Sequence, residues 1–503
     1  MNNRFIIVIG SHNNAEWVEK NLGSVLCQDY THYELMYFND ASEDDTYEKA
    51  ESLLKGNPHH HTYNVIERKY KTWFFYGIET NIDLKDNDIL VFLDGDDMLS
   101  SENVLSYLND IYNQTNCWMT YGGMQVWDGE NFTEPFPQNT KIPEEIIANK
   151  AYRKDIWRTS HLKTMRGFLW KKFNKEDLKP EGTFGPCQDD LAIMFAMLEM
   201  CPPEKVYRVT DPLYIYNASP NNGGSRGCTE LKPKSHLETI IRNIPPYKPI
   251  EFVTPTLAGG LGNQIFEIAV AASLAKDNGA VVIVNPEEHI LPNQGNNVKK
   301  YVDNIFSNIM MDSTIVPKHG HRRDECTYAP IQYKPNLKLF GHFQSWKYFD
   351  HNREYIQKLF TPNIGMFLPK TNLTAIQVRR GDYYKFPDHH PQLTLEYYAK
   401  AVAMANTDHV VIYSDDIAWC KENLKFDGVN ITFAKESSDW EEMMEMSTYK
   451  KLIISNSSFG WWAAYLNTRS DKQIYAPNIW FGKVLLAEGF NIDDLVLPDW
   501  NKI

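Results

Sequence analysis

Four prolines fall inside one short central segment, Asn243–Pro255, which reads Asn-Ile-Pro-Pro-Tyr-Lys-Pro-Ile-Glu-Phe-Val-Thr-Pro. Proline has no backbone N–H and its ring clashes in a helix interior, and it is poorly placed in a central strand. The segment therefore predicts an extended linker, and the chain must build its cores on either side of it. A chain of 503 residues also exceeds what a single hydrophobic core supports. The expected division is residues 1–242, a linker over 243–255, and residues 256–503. On both sides, short apolar runs alternate with amphipathic stretches, which predicts two α/β bodies.

Composition narrows the function classes. The formal net charge of −14 argues against nucleic acid and anionic lipid as partners, but not against small anionic ligands. Aromatic residues reach 13%, and their flat rings suit sugar faces as well as cores. The seven cysteines (Cys27, Cys117, Cys187, Cys201, Cys228, Cys326 and Cys420) are scattered without C-x-x-C spacing, which points to a reducing compartment. The apolar run near the N-terminus is too short for a signal peptide, and no stretch approaches the ~20 apolar residues of a membrane span. No transmembrane segment is expected, and the absence of an anchor points to the cytoplasm. His59-His60-His61, after Pro58, reads as an exposed loop rather than a metal tract.

In the N-terminal half, Phe5–Gly10 reads as a strand, Ala15–Leu26 as a helix and Tyr33–Phe38 as a second strand. The second strand runs into Asn39-Asp40-Ala41-Ser42-Glu43-Asp44-Asp45-Thr46. Strand, helix, strand and acidic turn is the order that builds a nucleotide crevice at the carboxyl edge of a parallel sheet. An aspartate there can accept from a base N–H or a ribose hydroxyl; alternatively, Ser42 or Asp44 caps the next helix. A third strand, Asp88–Leu93, runs into Asp94-Gly95-Asp96-Asp97. Carboxylates so close repel one another unless a cation neutralises them, and Mg²⁺ takes one or two carboxylates plus substrate phosphates. A solvated acidic turn is the plain alternative.

These residues resemble the family 2 type of glycosyltransferase with a GT-A fold, over roughly residues 4–220, with Asn39 replacing the usual first aspartate. The resemblance implies that Asp40, with Asp44 in the same stretch, meets the base or ribose of a nucleotide sugar. It gives Asp94 and Asp96 the metal-binding role, with Mn²⁺ or Mg²⁺ as cofactor and Asp96 as the more direct ligand. Inversion at the anomeric carbon needs a general base. Gln188-Asp189-Asp190-Leu191 opens the apolar helix Ala192–Met200 and supplies Asp190 first and Asp189 second, unless both merely favour the positive end of the helix dipole. His161 and Tyr214 lie in segments resembling the family's and receive no role.

In the C-terminal half, Gly259-Gly260-Leu261-Gly262-Asn263-Gln264 precedes a small-residue helix, Ile265–Lys276, and would expose N–H groups to an anion. The strand Ala375–Val378 ends in Arg379-Arg380-Gly381-Asp382, placing adjacent arginines where they can clamp a diphosphate. Val410–Tyr413 ends in Ser414-Asp415-Asp416, and Leu452–Ile454 leads into Ser455-Asn456-Ser457-Ser458-Phe459-Gly460-Trp461-Trp462. The double tryptophan reads as core.

These segments, with Gly341-His342-Phe343-Gln344-Ser345 between them, resemble the family 11 alpha-1,2-fucosyltransferases over about residues 253–500. The resemblance implies a GT-B-like fold of two α/β lobes, GDP-fucose as donor, and inversion without a metal cofactor. It gives Arg379 the donor diphosphate, with Arg380, Asn263, Ser457 or Ser458, and Asp382 as its partners at the donor site. The family commonly has histidine two residues before the first arginine, where this chain has Gln377. Glutamine cannot take up a proton near neutral pH, so Gln377 is expected to position rather than deprotonate, and no base is identified; Asp382 is a weak candidate.

Together these readings predict a bifunctional enzyme. The first half adds a hexose from a nucleotide sugar, with a UDP-sugar as the expected donor. The second caps it with alpha-1,2-linked fucose on a glycan or glycoprotein acceptor. Two alternatives stay open: one half is a glycan- or nucleotide-binding module without turnover, or the N-terminal half is a nucleotidyltransferase. The second of these would want a glycine-rich basic loop after the first strand, which Gly10-Ser11-His12-Asn13-Asn14 is not.

Overall fold

The computed structural model describes residues 2–132, 139–184, 189–220, 222, 234–290, 297–323, 327–362 and 367–503. Cys187, Gln188, Cys228 and Cys326 lie outside the described residues. The chain forms two compact α/β units, Met1–Ile250 and Glu251–Ile503.

The first unit is built on one mixed sheet. Its strands are β1 (Phe5–Ser11), β2 (Tyr33–Asp40), β3 (His60–Val65), β4 (Ile89–Asp94), β5 (Met98–Leu99), β6 (Met119–Trp127), β7 (Lys163–Arg166) and β8 (Val206–Asn217), in the order β3-β2-β1-β4-β7-β6-β8-β5. β1 lies between β2 and β4, parallel to both, and Phe5–Ile9 are wholly buried, which is why its sequence is continuously apolar rather than alternating. Helix Val18–Leu26 buries Val18, Leu22 and Val25, one apolar stripe at helical spacing. Only the first residue of the triple histidine lies in an exposed turn: His60 and His61 pair with Leu35 and Met36 as the start of the edge strand β3. Helix Asp189–Met200 includes both aspartates as well as Ala192 and is buried almost all round.

The proline-rich segment is held by hydrogen bonds rather than free. Tyr247 is docked on the first unit: its hydroxyl donates to Asp177 (2.7 Å), its N–H donates to Glu199 (3.0 Å), and its ring stacks on Phe173. Ile250 N–H donates to the Met200 carbonyl (3.0 Å). The segment's last four residues are strand, not linker. Phe252–Pro255 is β9, the buried central strand of a sheet, and its proline occupies only the last paired position, opposite Leu339.

The second unit has two lobes. In the first, β9 is joined by β10 (Val281–Val284), β11 (Met310–Met311), β12 (His319–Arg322) and β13 (Leu337–Phe340) in a parallel sheet ordered β11-β10-β9-β13-β12. In the second, β14 (Lys370–Val378), β15 (His409–Ser414), β16 (Asn430–Phe433), β17 (Tyr449–Ile453), β18 (Gln473–Ala476) and β19 (Asn501–Lys502) form a parallel sheet ordered β16-β15-β14-β17-β18-β19. Trp461 and Trp462 are fully buried against Phe266 of helix Leu261–Asp277, so the double tryptophan is core. Among the described residues no helix is long and apolar enough to cross a membrane.

Candidate active sites

At the carboxyl edge of the first unit's sheet, β4 delivers Asp94 to a turn that packs directly on β1. A Cβ on Gly95 would lie 2.6 Å from Ser11 Oγ, so only glycine lets the acidic turn come this close. The three aspartates of the turn then diverge. Asp97 is buried and accepts from the Tyr214 hydroxyl (2.5 Å) and from Asn217 N–H (2.7 Å); burial, then Asp96 and Asp94, push its carboxyl well above the usual range. Asp96 takes the Asn222 amide on Oδ2 (2.8 Å), and burial and Asp94 raise its carboxyl too. Asp94 takes Lys71 Nζ on Oδ1 (2.9 Å) and has His161 Nε2 3.8 Å from Oδ2. Burial works against its ionised form, but Lys71, His161 and Lys163 outweigh it and hold the carboxyl below the usual range.

The helix across this edge brings Asp189 and Asp190 to the same place. Lys71 Nζ lies 3.2 Å from Asp189 Oδ2, so one lysine bridges the acidic turn and the helix start. Asp190 is ion-paired with Lys163 and has His161 Nε2 3.5 Å from Oδ2. Burial disfavours its charge, yet Lys163 and His161 hold its carboxyl well below the usual range, whereas burial leaves the Asp189 carboxyl raised despite Lys71. The His161 ring stacks on Tyr214 (centroids 4.6 Å apart), which ties this pair back to Asp97. The two sequence-derived candidates for the base are thus held in opposite protonation tendencies a residue apart.

Asp40 reaches the site indirectly. It is buried and accepts Lys69 N–H (2.6 Å) and Tyr70 N–H (2.9 Å). Tyr70 has φ of +63°, a conformation costly for a bulky residue, and the carboxylate fixes it immediately before Lys71. Asp44 serves the turn: it accepts from Thr46 N–H (3.1 Å), the Thr46 hydroxyl and Ala15 N–H (3.1 Å), thereby starting helix Thr46–Leu54. Asn39 bonds Asn64 and Ser42. Among the described residues no group of three or more His, Cys, Asp or Glu side chains is arranged to hold a metal by itself. Asp94 and Asp96 offer two carboxylates, the number Mg²⁺ typically takes from protein when phosphates complete its shell.

In the second unit, the ends of β14, β15 and β17 form one polar rim. Arg379 is clamped by Asp382 (2.6 Å) and Asp415 (2.9 Å), lies over the Tyr383 ring, and keeps a third of its side chain exposed. Arg380 is more buried: its N–H donates to Asp415 (2.9 Å), its Nε pairs with Asp416 (3.2 Å), and its guanidinium lies 3.6 Å over Trp419. Ser457 Oγ accepts Phe459 N–H (3.3 Å) as the cap of helix Ser458–Tyr465. The glycine turn of the other lobe meets that helix start. A Cβ on Gly262 would lie 2.5 Å from Ser458 C and 2.6 Å from Phe459 N, so the two helix N-termini touch only because residue 262 is glycine. Asn263, next in line, accepts from Gln344 Nε2 (2.9 Å).

Two families of known proteins match different parts of the chain. The pattern described as glycosyl transferase family 2 matches residues 6–173, and that of glycosyl transferase family 11 matches residues 247–503. The chain belongs to glycosyl transferase family 11. It is 26% identical to the O-antigen biosynthesis glycosyltransferase WbnK of Escherichia coli, over 48% of this chain and 98% of that one. It is 28% identical to an alpha-1,2-colitosyltransferase of Escherichia coli (50% and 99%) and 26% identical to human galactoside alpha-(1,2)-fucosyltransferase 1 (48% and 72%). Among solved structures, S. aureus TarS in complex with UDP-GlcNAc matches 47% of this chain and 65% of its own at 14% identity, with a TM-score of 0.34. The chain is a glycosyltransferase.

Several residues of these sites escaped the sequence reading. Lys71, Lys163 and Asn222 line the first site, and Glu267, together with Trp419, supports the second. Gln377 is used structurally. It is buried, and its Oε1 accepts Ser455 N–H (3.1 Å) and the Ser455 hydroxyl, pinning the β17 turn to β14. The family's preference for histidine at that position was the signal in the sequence; its consequence depends on a neighbour 78 residues away.

Proposed function

We propose that the chain is a bifunctional inverting glycosyltransferase with one donor site per unit. The observation that carries this reading is that each unit builds its own charged rim at the carboxyl edge of a parallel array, where such sheets bind ligands. In the first unit, Asp94 and Asp96 would hold Mg²⁺ or Mn²⁺, which when bound would neutralise charge on the diphosphate of a nucleotide sugar. Asp40 anchors the loop that carries Lys71, and Asp44 supports the neighbouring turn rather than meeting the donor. Asp190, with Asp189 beside it, faces the acceptor hydroxyl; on donor binding Lys71 and Lys163 are the cations available to trade carboxylate for phosphate. A UDP-hexose donor fits the family 2 match, and galactose fits best because a similar protein is named for galactoside acceptors.

In the second unit Arg379 takes the GDP-fucose diphosphate, with the N–H groups beside Asn263 and Ser458 and with Asp382 and Asp415 setting the guanidinium plane. Arginine charge there would do the work that a bound metal would do in the first site. Similarity to a colitosyltransferase favours a second reading in which the transferred sugar is a related deoxy sugar. The acceptor is a glycan or glycoprotein. The four described cysteines are all unbridged, which suits a cytoplasmic enzyme.

The test is reciprocal. Asp96→Asn is expected to abolish hexosyl transfer and spare fucosyl transfer to a supplied galactoside; Arg379→Ala is expected to do the reverse, losing ~3 kcal/mol of donor interaction, or about 10²-fold. Mass spectrometry of products from UDP- and GDP-sugars reads both. Loss of both activities in either variant refutes two independent sites, and no turnover in one unit of the wild type leaves that unit a binding module.

A further inference from the structure

We propose that His342, oriented by Glu267, is the base that takes the acceptor's proton in the C-terminal unit; this rests on the fucosyl-transfer reading above and supplies the group that Gln377 cannot. Glu267 lies in helix Leu261–Asp277, which starts at the glycine turn, and it is 1% exposed. A carboxylate so placed is costly unless each oxygen is satisfied. Oε2 accepts Ala258 N–H (2.9 Å) immediately before the turn, and Oε1 lies 2.8 Å from His342 Nδ1. His342 follows β13, the parallel neighbour of β9, so turn and imidazole leave the same carboxyl edge of one sheet. Two residues on, Gln344 bonds Asn263, which places the pair in the polar rim assigned to the donor.

With Nδ1–H donating to Glu267, the lone pair lies on Nε2, and the imidazolium formed on protonation would be met by the carboxylate. The His342 side chain is half exposed (49%), so it can shed its proton to water after each turnover. Burial pushes the Glu267 carboxyl up to about 7, with His342 and Ala258 N–H lowering it only in part. His342 is the charged group acting on Glu267. Near His342, the Arg323 carbonyl lies against Gly341 while its guanidinium turns to Thr327 (3.0 Å), and the His321 ring stacks on Phe343.

The step balances as a single displacement. The acceptor O–H proton moves to His342 Nε2, the acceptor oxygen bonds the anomeric carbon, and the bond from that carbon to the phosphate oxygen breaks. The electron pair leaves with GDP, whose new charge Arg379 meets. His342 is the catalytic residue, and Glu267 is a positioning residue.

The experiment uses the full chain with GDP-fucose and lactose. His342→Gln is expected to lower kcat about 10²-fold or more and to remove the acid limb of the kcat/KM profile between about pH 5 and 9, with GDP-fucose affinity by calorimetry unchanged. Glu267→Gln should lower kcat by a smaller factor and displace that limb, again at unchanged donor affinity, whereas a purely structural glutamate would lose donor affinity and kcat together. Imidazole added to His342→Gly should restore part of the rate. If His342→Gln keeps kcat within about twofold and retains the acid limb, the dyad is wrong and the fucosyl reading stands. If the wild type neither binds nor turns over GDP-fucose, the donor reading itself fails, and the proposal with it.

Discussion

Lys71 is the cation that joins Asp94 to Asp189 in the first site, and Lys71→Met measures what that bridge contributes. Its Nζ stands 2.9 Å from Asp94 and 3.2 Å from Asp189, with about a quarter of the lysine side chain exposed. At an effective dielectric of about 20, each contact is worth ~5–6 kcal/mol of gross Coulomb attraction. The cost of burying the ammonium offsets much of that, and removing one partner of such a pair costs ~3 kcal/mol net at the low end, appropriate for a partly exposed site. Methionine keeps the stem and its packing, so the difference reports charge. Despite burial, Asp189 and Asp94 hold the lysine's own pKa well above its ordinary value, so it is charged throughout the range tested.

The sign follows from the carboxylates. Without Lys71, the folded-state pKa of Asp94 and of Asp189 rises, so relative to wild type the penalty is absent where both are protonated and grows as pH climbs from each carboxylate's wild-type folded value, lowered for Asp94 and raised for Asp189, through its higher value in the variant. Hydrogen–deuterium exchange of the peptide carrying β4 reads it locally. Exchange about 10²-fold faster than wild type is expected at pH 8, shrinking toward wild type near pH 5, with hexosyl transfer lost and fucosyl transfer intact. An equal acceleration at both pH values, or none, would show that the bridge is not electrostatic and refute this account.

Two further outcomes follow from contacts already described. Gln377→Met removes the acceptor of the Ser455 N–H and hydroxyl, leaving buried donors unpaired; a loss of ~2 kcal/mol in stability is expected by urea denaturation of the C-terminal unit, with a matching fall in fucosyl transfer. A polypeptide ending at residue 250 should be more stable than one ending at 243, by ~2 kcal/mol in urea denaturation, because only the longer one keeps the hydrogen bonds of Tyr247 to Asp177 and Glu199; equal stabilities would mean that the proline-rich segment is a free tether.

What the sequence disclosed was local. Continuous apolar runs such as Phe5–Ile9 marked parallel strands, and the polar clusters that follow them marked the edge where ligands bind. What it hid was set by sheet order. Lys71 meets Asp189 only because the loop that Asp40 holds comes to the edge where the helix begins, and the Glu267–His342 contact joins residues 75 apart through the pairing of β9 with β13. Phe252–Pro255 was missed for a different reason. The rule against proline in a central strand concerns its interior, whereas Pro255 stands at the last paired position.

Asp97 carries a consequence for anyone who dissects this enzyme by mutation. It is part of the Asp94–Asp97 cluster, yet it is 1% exposed and its oxygens are given to Tyr214 and Asn217. On the proposed function, replacing it is expected to silence hexosyl transfer as surely as replacing Asp96, because the strand end beneath the turn would lose its tie. In an activity screen the two aspartates would be indistinguishable. Only a measurement of folding would tell a residue proposed to hold the metal from a keystone whose oxygens are already taken by Tyr214 and Asn217.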